Sequence, residues 1–425
     1  MKLSKQNSKT NFKAFVWHSA FLAFAANFMD VNTILPSMLI KIGGTPILLG
    51  LLTTILIGGS SITQLLFAGF LLNKPLKKKY LLAGINMRIL ALLGISFLFY
   101  NSAILSKNVI IFLVFLLISI FSLSGAFANV SYIAILGRAI KKNKRKKFFS
   151  VRQIFNSIGI LISALVVREL IKYYKFPSNY AIIFLSASLL LAIASLGFWR
   201  IKEVHSTVRK KKKFLKFLKL IPTEIRKNKN LKYYLLITNT LGIGLSIIPF
   251  LILFAKENFQ LSFNLIGNFL LFNTLGMLIA GLILFKYSEK FNYKSLLKSS
   301  IILSSSLPII ALLLMNTQFI YQFIFIISGS FIAIYGMSIS GLLLEISNKE
   351  NRITYAGISG AGSIIPLIFP LLTGFLIPII GYKIIFVAVS IIILTSLIFV
   401  SKLKCKLKPT QNILIKSKLN KEINS

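Results

Sequence analysis

Apolar runs recur along the chain at nearly even intervals, separated by short polar stretches rich in lysine, asparagine and glycine. Within the runs the apolar residues are continuous and do not alternate, so each reads as a helix. Twelve candidate spans lie near 14–40, 46–72, 80–101, 108–137, 151–171, 180–200, 232–255, 262–286, 295–315, 319–346, 354–378 and 383–401. About 20 helical residues cross the roughly 30 Å of a bilayer's hydrocarbon, a length that most of these runs reach. Only helices or closed barrels satisfy their backbone groups in lipid, and continuous apolar runs select helices. The pattern predicts an all-α polytopic membrane protein with twelve transmembrane helices. Hydrophobic residues make up 56% of the chain and charged residues 14%, which places it outside the composition of soluble domains.

The spans divide six and six around a long basic segment. This gives an N-terminal half (1–200), a basic linker (201–231), a C-terminal half (232–402) and a tail (403–425). The halves echo one another. "ILPSMLI" at 34–40 lines up with "IIPFLIL" at 247–253, Gly50 lines up with Gly267, and "NKPLKKKYLL" at 73–82 lines up with "EKFNYKSLL" at 289–297. Repeats of this kind predict two pseudo-symmetric six-helix bundles with a site between them. In the linker, "RKKKKFLKFLKLIP" at 209–222 merges basic and apolar residues, a pattern suited to a short helix on an anionic membrane surface.

The formal charge of +41 raises nucleic-acid binding as a possibility, but the placement of the charge argues against it. With charges at the span ends counted with the adjoining loop, one alternating set of loops holds 42 of the 50 Lys and Arg residues and the other set holds 7, with Arg88 deep inside a span. Such a bias orients a polytopic protein and puts both termini in the cytoplasm of a cell-membrane protein, with the basic loops against lipid head groups. The opening "MKLSKQNSKTNFKAFVW" leads into a run too long for a signal peptide and without a small-residue cleavage site, so it reads as a retained first helix. Cys405 is the single cysteine, which excludes an intramolecular disulfide.

Twelve spans, a central basic loop and a six-plus-six repeat resemble the major facilitator superfamily of secondary transporters over essentially the whole chain. The family's loop after the second span follows G-x-L-x-D-R-x-G-R-[KR]. Here "GFLLNKPLKKK" keeps Gly69 and Leu71, puts Asn73 at the acid, and supplies Lys74, Lys77 and Lys78 as basic residues. The second copy keeps an acid, Glu289, with Lys290 and Lys294. Before the eleventh span, "LEISNKENRITYAG" resembles the family's acid-then-Arg loop through Glu345 and Arg352. The resemblance implies that Asn73, Lys74, Lys77, Lys78, Glu289, Glu345 and Arg352 form gates whose pairing changes with conformation. The motif of drug–proton antiporters is absent: Phe121 stands where their fourth span carries Arg, and of their fifth-span glycines only Gly159 remains.

Intramembrane acids are costly and mark function by default. Asp30, the chain's single aspartate, falls near the middle of the first span. Asn27, Asp30, Thr33 and Ser37 would share one face of an unbroken helix. Facing a cavity, this stripe would bind substrate and Asp30 would couple transport to protons or sodium; facing a neighbouring helix, it would hold the bundle together. Asn129 and Tyr132 in the fourth span, Asn239 in the seventh and Tyr335 in the tenth are further substrate-binding candidates on spans that the resemblance places around the cavity. Arg88, in the third span, could neutralise Asp30, meet an anionic substrate or reach back to the cytoplasmic interface. His18 and His205 are the two histidines and lie far apart in sequence, so no metal site is expected. No phosphate-binding loop of the form G-x-x-x-x-G-K-[ST] occurs, and no cofactor is expected. These features predict a monomeric secondary transporter of a small solute, not an enzyme. A polytopic sensor or lipid-handling protein is the alternative.

Overall fold

The first pass does not cross the membrane as one helix, because Asp30 offers its backbone a competing partner. The computed structural model describes residues 5–72, 74–140, 142–203, 222–259, 262–286, 291–347, 355, 358–360 and 362–404. The linker segment 209–221 and the tail beyond 404 therefore lie outside the described residues. Helix α1 (Lys5–Ala25) tightens into a 3-10 turn at Ala26–Met29, the chain is extended at Asp30, and helix α2 (Ile34–Lys41) completes the pass. Pro36 falls in the first turn of α2, where a missing N–H costs little.

The next five passes are single helices: α3 (Pro46–Leu72), α4 (Lys78–Tyr100), α5 (Lys107–Ala139), α6 (Lys142–Tyr173) and α7 (Ser178–Trp199). The seventh pass is interrupted only slightly, where α8 (Lys229–Leu241) and α9 (Ile243–Asn258) meet at Gly242, which keeps helical dihedrals of φ −62° and ψ −22°. Helices α10 (Phe263–Lys286) and α11 (Tyr293–Leu313) come next, and the tenth pass is the short α12 (Gln318–Tyr321) leading into α13 (Ile324–Ile346). The last two passes run together as α14 (Ile365–Ser401), which turns at Gly381 with φ +76° and ψ 165°. Only glycine takes that conformation without strain. These elements make twelve passes in two six-helix bundles.

Lipid gives helices little hydrophobic reason to associate, so close backbone packing and polar contacts carry the assembly. The two bundles use equivalent devices at the end that holds the basic loops. In the first half, the Asn11 side chain bonds both backbone groups of Lys202, donating at 3.0 Å and accepting at 2.8 Å. In the second, Asn230 does the same with Lys404, at 2.9 and 3.0 Å. Lys78 Nζ donates to the carbonyls of Trp199 and Ile201, while Lys294 Nζ donates to Ser401 and Leu403. Each set ties the start of a pass to the chain that leaves the bundle.

Close contacts between the halves cluster at the opposite end. Gly50 of α3 lies against the backbone of Pro370 in α14, and Gly374 of α14 lies against the backbone of Pro46. A side chain at either position would overlap a carbonyl, so the crossing exists only because both are glycine. Nearby, Gly267 of α10 packs on Arg168 of α6, whose Nε donates to Asn268 Oδ1 at 2.9 Å. Lys41 Nζ sits 4.4 Å over the Phe263 ring.

Candidate functional site

Asp30 sits at the break of the first pass. Its Oδ1 accepts the backbone N–H groups of Asn32 at 3.1 Å and Thr33 at 2.7 Å, and the Thr33 hydroxyl at 2.7 Å. This Asx turn is the local competitor to the helix and the reason that the pass breaks here. Oδ2 has no hydrogen-bond partner among the described residues, so half of the carboxylate remains available. The stripe expected from an unbroken helix does not form. Residues 26–33 leave α-helical geometry, and the side chains of Asn27, Asp30 and Ser37 go to different partners.

Asn27 is buried and donates to the Ile160 carbonyl at 2.6 Å and to the Ser163 hydroxyl at 3.0 Å, both on α6. Ser37 accepts from the Tyr180 hydroxyl of α7 at 2.9 Å. Asn239 stands at the equivalent place in the seventh pass. It donates to the Gly362 carbonyl at 2.7 Å and accepts from the Ile365 N–H at 2.9 Å. Residues 363–364 are not helical, and Pro366 supplies no N–H, so the start of α14 has backbone groups that no helix satisfies. Asn239 satisfies two of them. Asn27 and Asn239 thus brace the first and seventh passes against the fifth and eleventh.

Asn129 and Tyr132 of α5 come together at a cavity of about 130 Å³ inside the first bundle, lined also by His18, Arg88, Arg152 and Phe198. Asn129 is exposed, and neither its amide nor the Tyr132 hydroxyl has a hydrogen-bond partner among the described residues. The Tyr132 ring packs edge-on against Phe15 at 5.3 Å. His18 Nδ1 donates to the Ala194 carbonyl at 3.3 Å, which leaves its other nitrogen free for the cavity. Arg88 does not pair with Asp30. Tyr335 lies in the other bundle, half-buried, 5.6 Å from Phe331 and apart from this group.

The gate candidates divide. Asn73, Glu289 and Arg352 lie outside the described residues. Lys74 Nζ is 5.0 Å over the Phe70 ring, and Lys77 Nζ donates to the Lys74 carbonyl at 2.9 Å. Lys78 is committed to the end of α7, and Glu345 is half-buried at the end of α13. Sequence reasoning missed Glu203. Its two carboxylate oxygens accept the N–H groups of Lys77 and Lys78, each at 2.7 Å, so it caps α4. An acid just past the sixth span, in an otherwise basic stretch, was the signal. Glu257, which accepts from the Tyr382 hydroxyl at 2.8 Å, was missed for lack of any motif around it.

A sequence model described as Major Facilitator Superfamily matches residues 16–254 and 234–417, which together span both bundles. The chain belongs to the Major Facilitator Superfamily. Solved members of similar fold include an auto-inhibited POT family peptide transporter, at 11% identity and TM-score 0.70, covering 94% of this chain and 98% of that one. A D-xylose-proton symporter aligns at 14% identity and TM-score 0.66, over 92% and 97% of the two chains. The nucleoside transporter NupG aligns at 16% identity and TM-score 0.63, over 93% and 100%. Comparison with curated protein sequences gives no match. Membership explains the paired bundles and the repeated braces as one architecture used twice, and it makes the protein a membrane transporter and not an enzyme.

Proposed function

We propose that this member of the superfamily is a secondary active transporter. It carries a small solute across the cell membrane by alternating access, as a monomer, with both termini in the cytoplasm. The observation that carries this reading is where the halves meet. Gly50 against Pro370 and Gly374 against Pro46 seal the end remote from the termini. Away from that seal, Gly336 of α13 has open space where a Cβ would stand, and Asn129 of α5 is exposed. This arrangement fits a conformation closed at one face and open at the other, the two-state element that alternating access requires. Peptide, sugar and nucleoside transporters of similar fold support a small polar solute as cargo.

Coupling to a proton or sodium is assigned to Asp30, which brings a carboxylate with a free oxygen to the break of the first pass. The basic loops, which hold most of the charge, set the orientation. The test is uptake by the purified protein in proteoliposomes, with proton or sodium gradients imposed across a panel of labelled solutes. Gradient-driven accumulation is expected. Equilibration without accumulation would remove the coupling, and no flux of any solute would overturn the proposed active transport. Replacing Gly374 with leucine pushes α14 away from Pro46 and should cut turnover at least tenfold. Unchanged turnover would reject closure through this crossing.

A further inference from the structure

We propose that the cavity inside the first bundle binds the anionic group, a carboxylate or a phosphate, of a small solute, with Arg88 as its principal ligand. Arg88 lies roughly ten residues inside α4, about 15 Å along the helix from its start. Its guanidinium carbon stands 4.2 Å over the Phe121 ring, and its Nε is buried without a hydrogen-bond partner. No acid among the described residues pairs with it: the ion pair they form joins Arg168 to Glu169. An aromatic face offsets part of the cost of burying a cation. The rest calls for an anion, because a guanidinium presents five donors and no acceptor.

The surroundings are those of an oxyanion site. Arg152 brings a second guanidinium from α6, Asn129 an unpaired amide, and Tyr132 an unpaired hydroxyl, all around the same cavity of about 130 Å³. Donors dominate, and none of the residues lining the cavity is an aspartate or glutamate. Arginine's planar fork matches carboxylate and phosphate geometry. Burying Arg88 within a membrane span without a counter-anion is costly, which marks it for a ligand. Two guanidiniums balance up to two negative charges, so a single carboxylate or a single phosphate group suits the cavity.

The inference rests on the transport reading only for the step after binding, and binding is tested separately. Purified full-length protein in a neutral detergent is melted with acetate, benzoate, inorganic phosphate or glycerol 3-phosphate, each beside an uncharged amide or alcohol analogue. At least one anion should raise the melting temperature while its neutral analogue does not. Arg88→Gln should abolish that shift, and Arg152→Gln or Asn129→Ala should weaken the affinity at least tenfold. If Arg88→Gln does not fold, the latter two variants decide the matter alone. A shift that survives these substitutions, or none with any anion, overturns the proposal. So does stabilisation by phosphatidylglycerol in place of the soluble anions, which would assign the cavity to a lipid head group. An anion that binds through Arg88 but is not carried in proteoliposomes would sink the transport reading and leave the site. Transport of neutral solutes untouched by Arg88→Gln would do the reverse.

Discussion

Asn27 in the first bundle and Asn239 in the second occupy equivalent places and brace equivalent passes, yet they hold different things. Asn27 reaches a carbonyl of α6 inside an intact helix, where Ile160 already has its helical environment. Asn239 reaches the unwound backbone ahead of α14, where Gly362 and Ile365 need it. The breaks beside them differ in the same way. The first pass breaks around the carboxylate of Asp30, whereas the seventh breaks at Gly242, against which Pro366 packs. The extended break accompanies the acid, and the slight interruption at Gly242, which keeps helical dihedrals, does without one. The first bundle keeps the acid together with an unpaired arginine, and the second bundle places neither at the corresponding positions. The asymmetry confines the carboxylate at a break and the unpaired arginine to the first bundle.

The largest expected effect comes from removing the charge that distinguishes the two breaks. Asp30→Asn keeps an oxygen to accept the N–H groups of Asn32 and Thr33, so stability should stay within about 0.5 kcal/mol. Gradient-driven accumulation should vanish, as read by uptake in proteoliposomes. Accumulation at the wild-type level would make the first break as structural as the second. Next in size is the contrast between the braces. Asn239→Leu strands non-helical backbone groups and should cost about 2–3 kcal/mol in reversible unfolding. Asn27→Leu loses one interhelical brace and should cost about 1 kcal/mol. Equal losses would show that unwinding at 363–364 adds nothing to the second brace. The smallest effect concerns the helix caps at the basic end. Glu203→Ala removes a charged acceptor for two N–H groups and should cost about 1 kcal/mol. Asn292→Ala, its neutral counterpart bonding only the Ser295 N–H, should cost about half of that. A larger loss at Asn292 would reverse the ranking.

The repeats were legible in outline. The alignment of 73–82 with 289–297 puts Lys78 beside Lys294, and the structure gives both the same task of binding the carbonyls that leave each bundle. Asn11 and Asn230 could not be matched in advance, since their partners lie in the chain after the sixth and twelfth passes. Asn27, Asp30 and Ser37 were visible as unusual residues but not as separate ones, because helical spacing places them on a single face. That inference assumed an unbroken helix, and the Asx turn of Asp30 removed the assumption. His18 and Arg152 could not be joined to Arg88 by any spacing, because they sit on three different helices.

The sequence by itself determined that the chain crosses the membrane twelve times, that its two halves are related, and which face carries the positive charge. The spans and the charged face arise from transfer free energies and loop charges that sum along a local window, and the related halves from a repeated residue pattern, all independent of how the helices pack. The tertiary structure alone decided which polar side chains are braces and which remain free. It also decided that the halves meet at two glycines, and that Arg88 faces a cavity with no acid in its lining. Those outcomes depend on distances between helices remote in sequence, and in a bilayer such distances are set by close packing and interhelical hydrogen bonds.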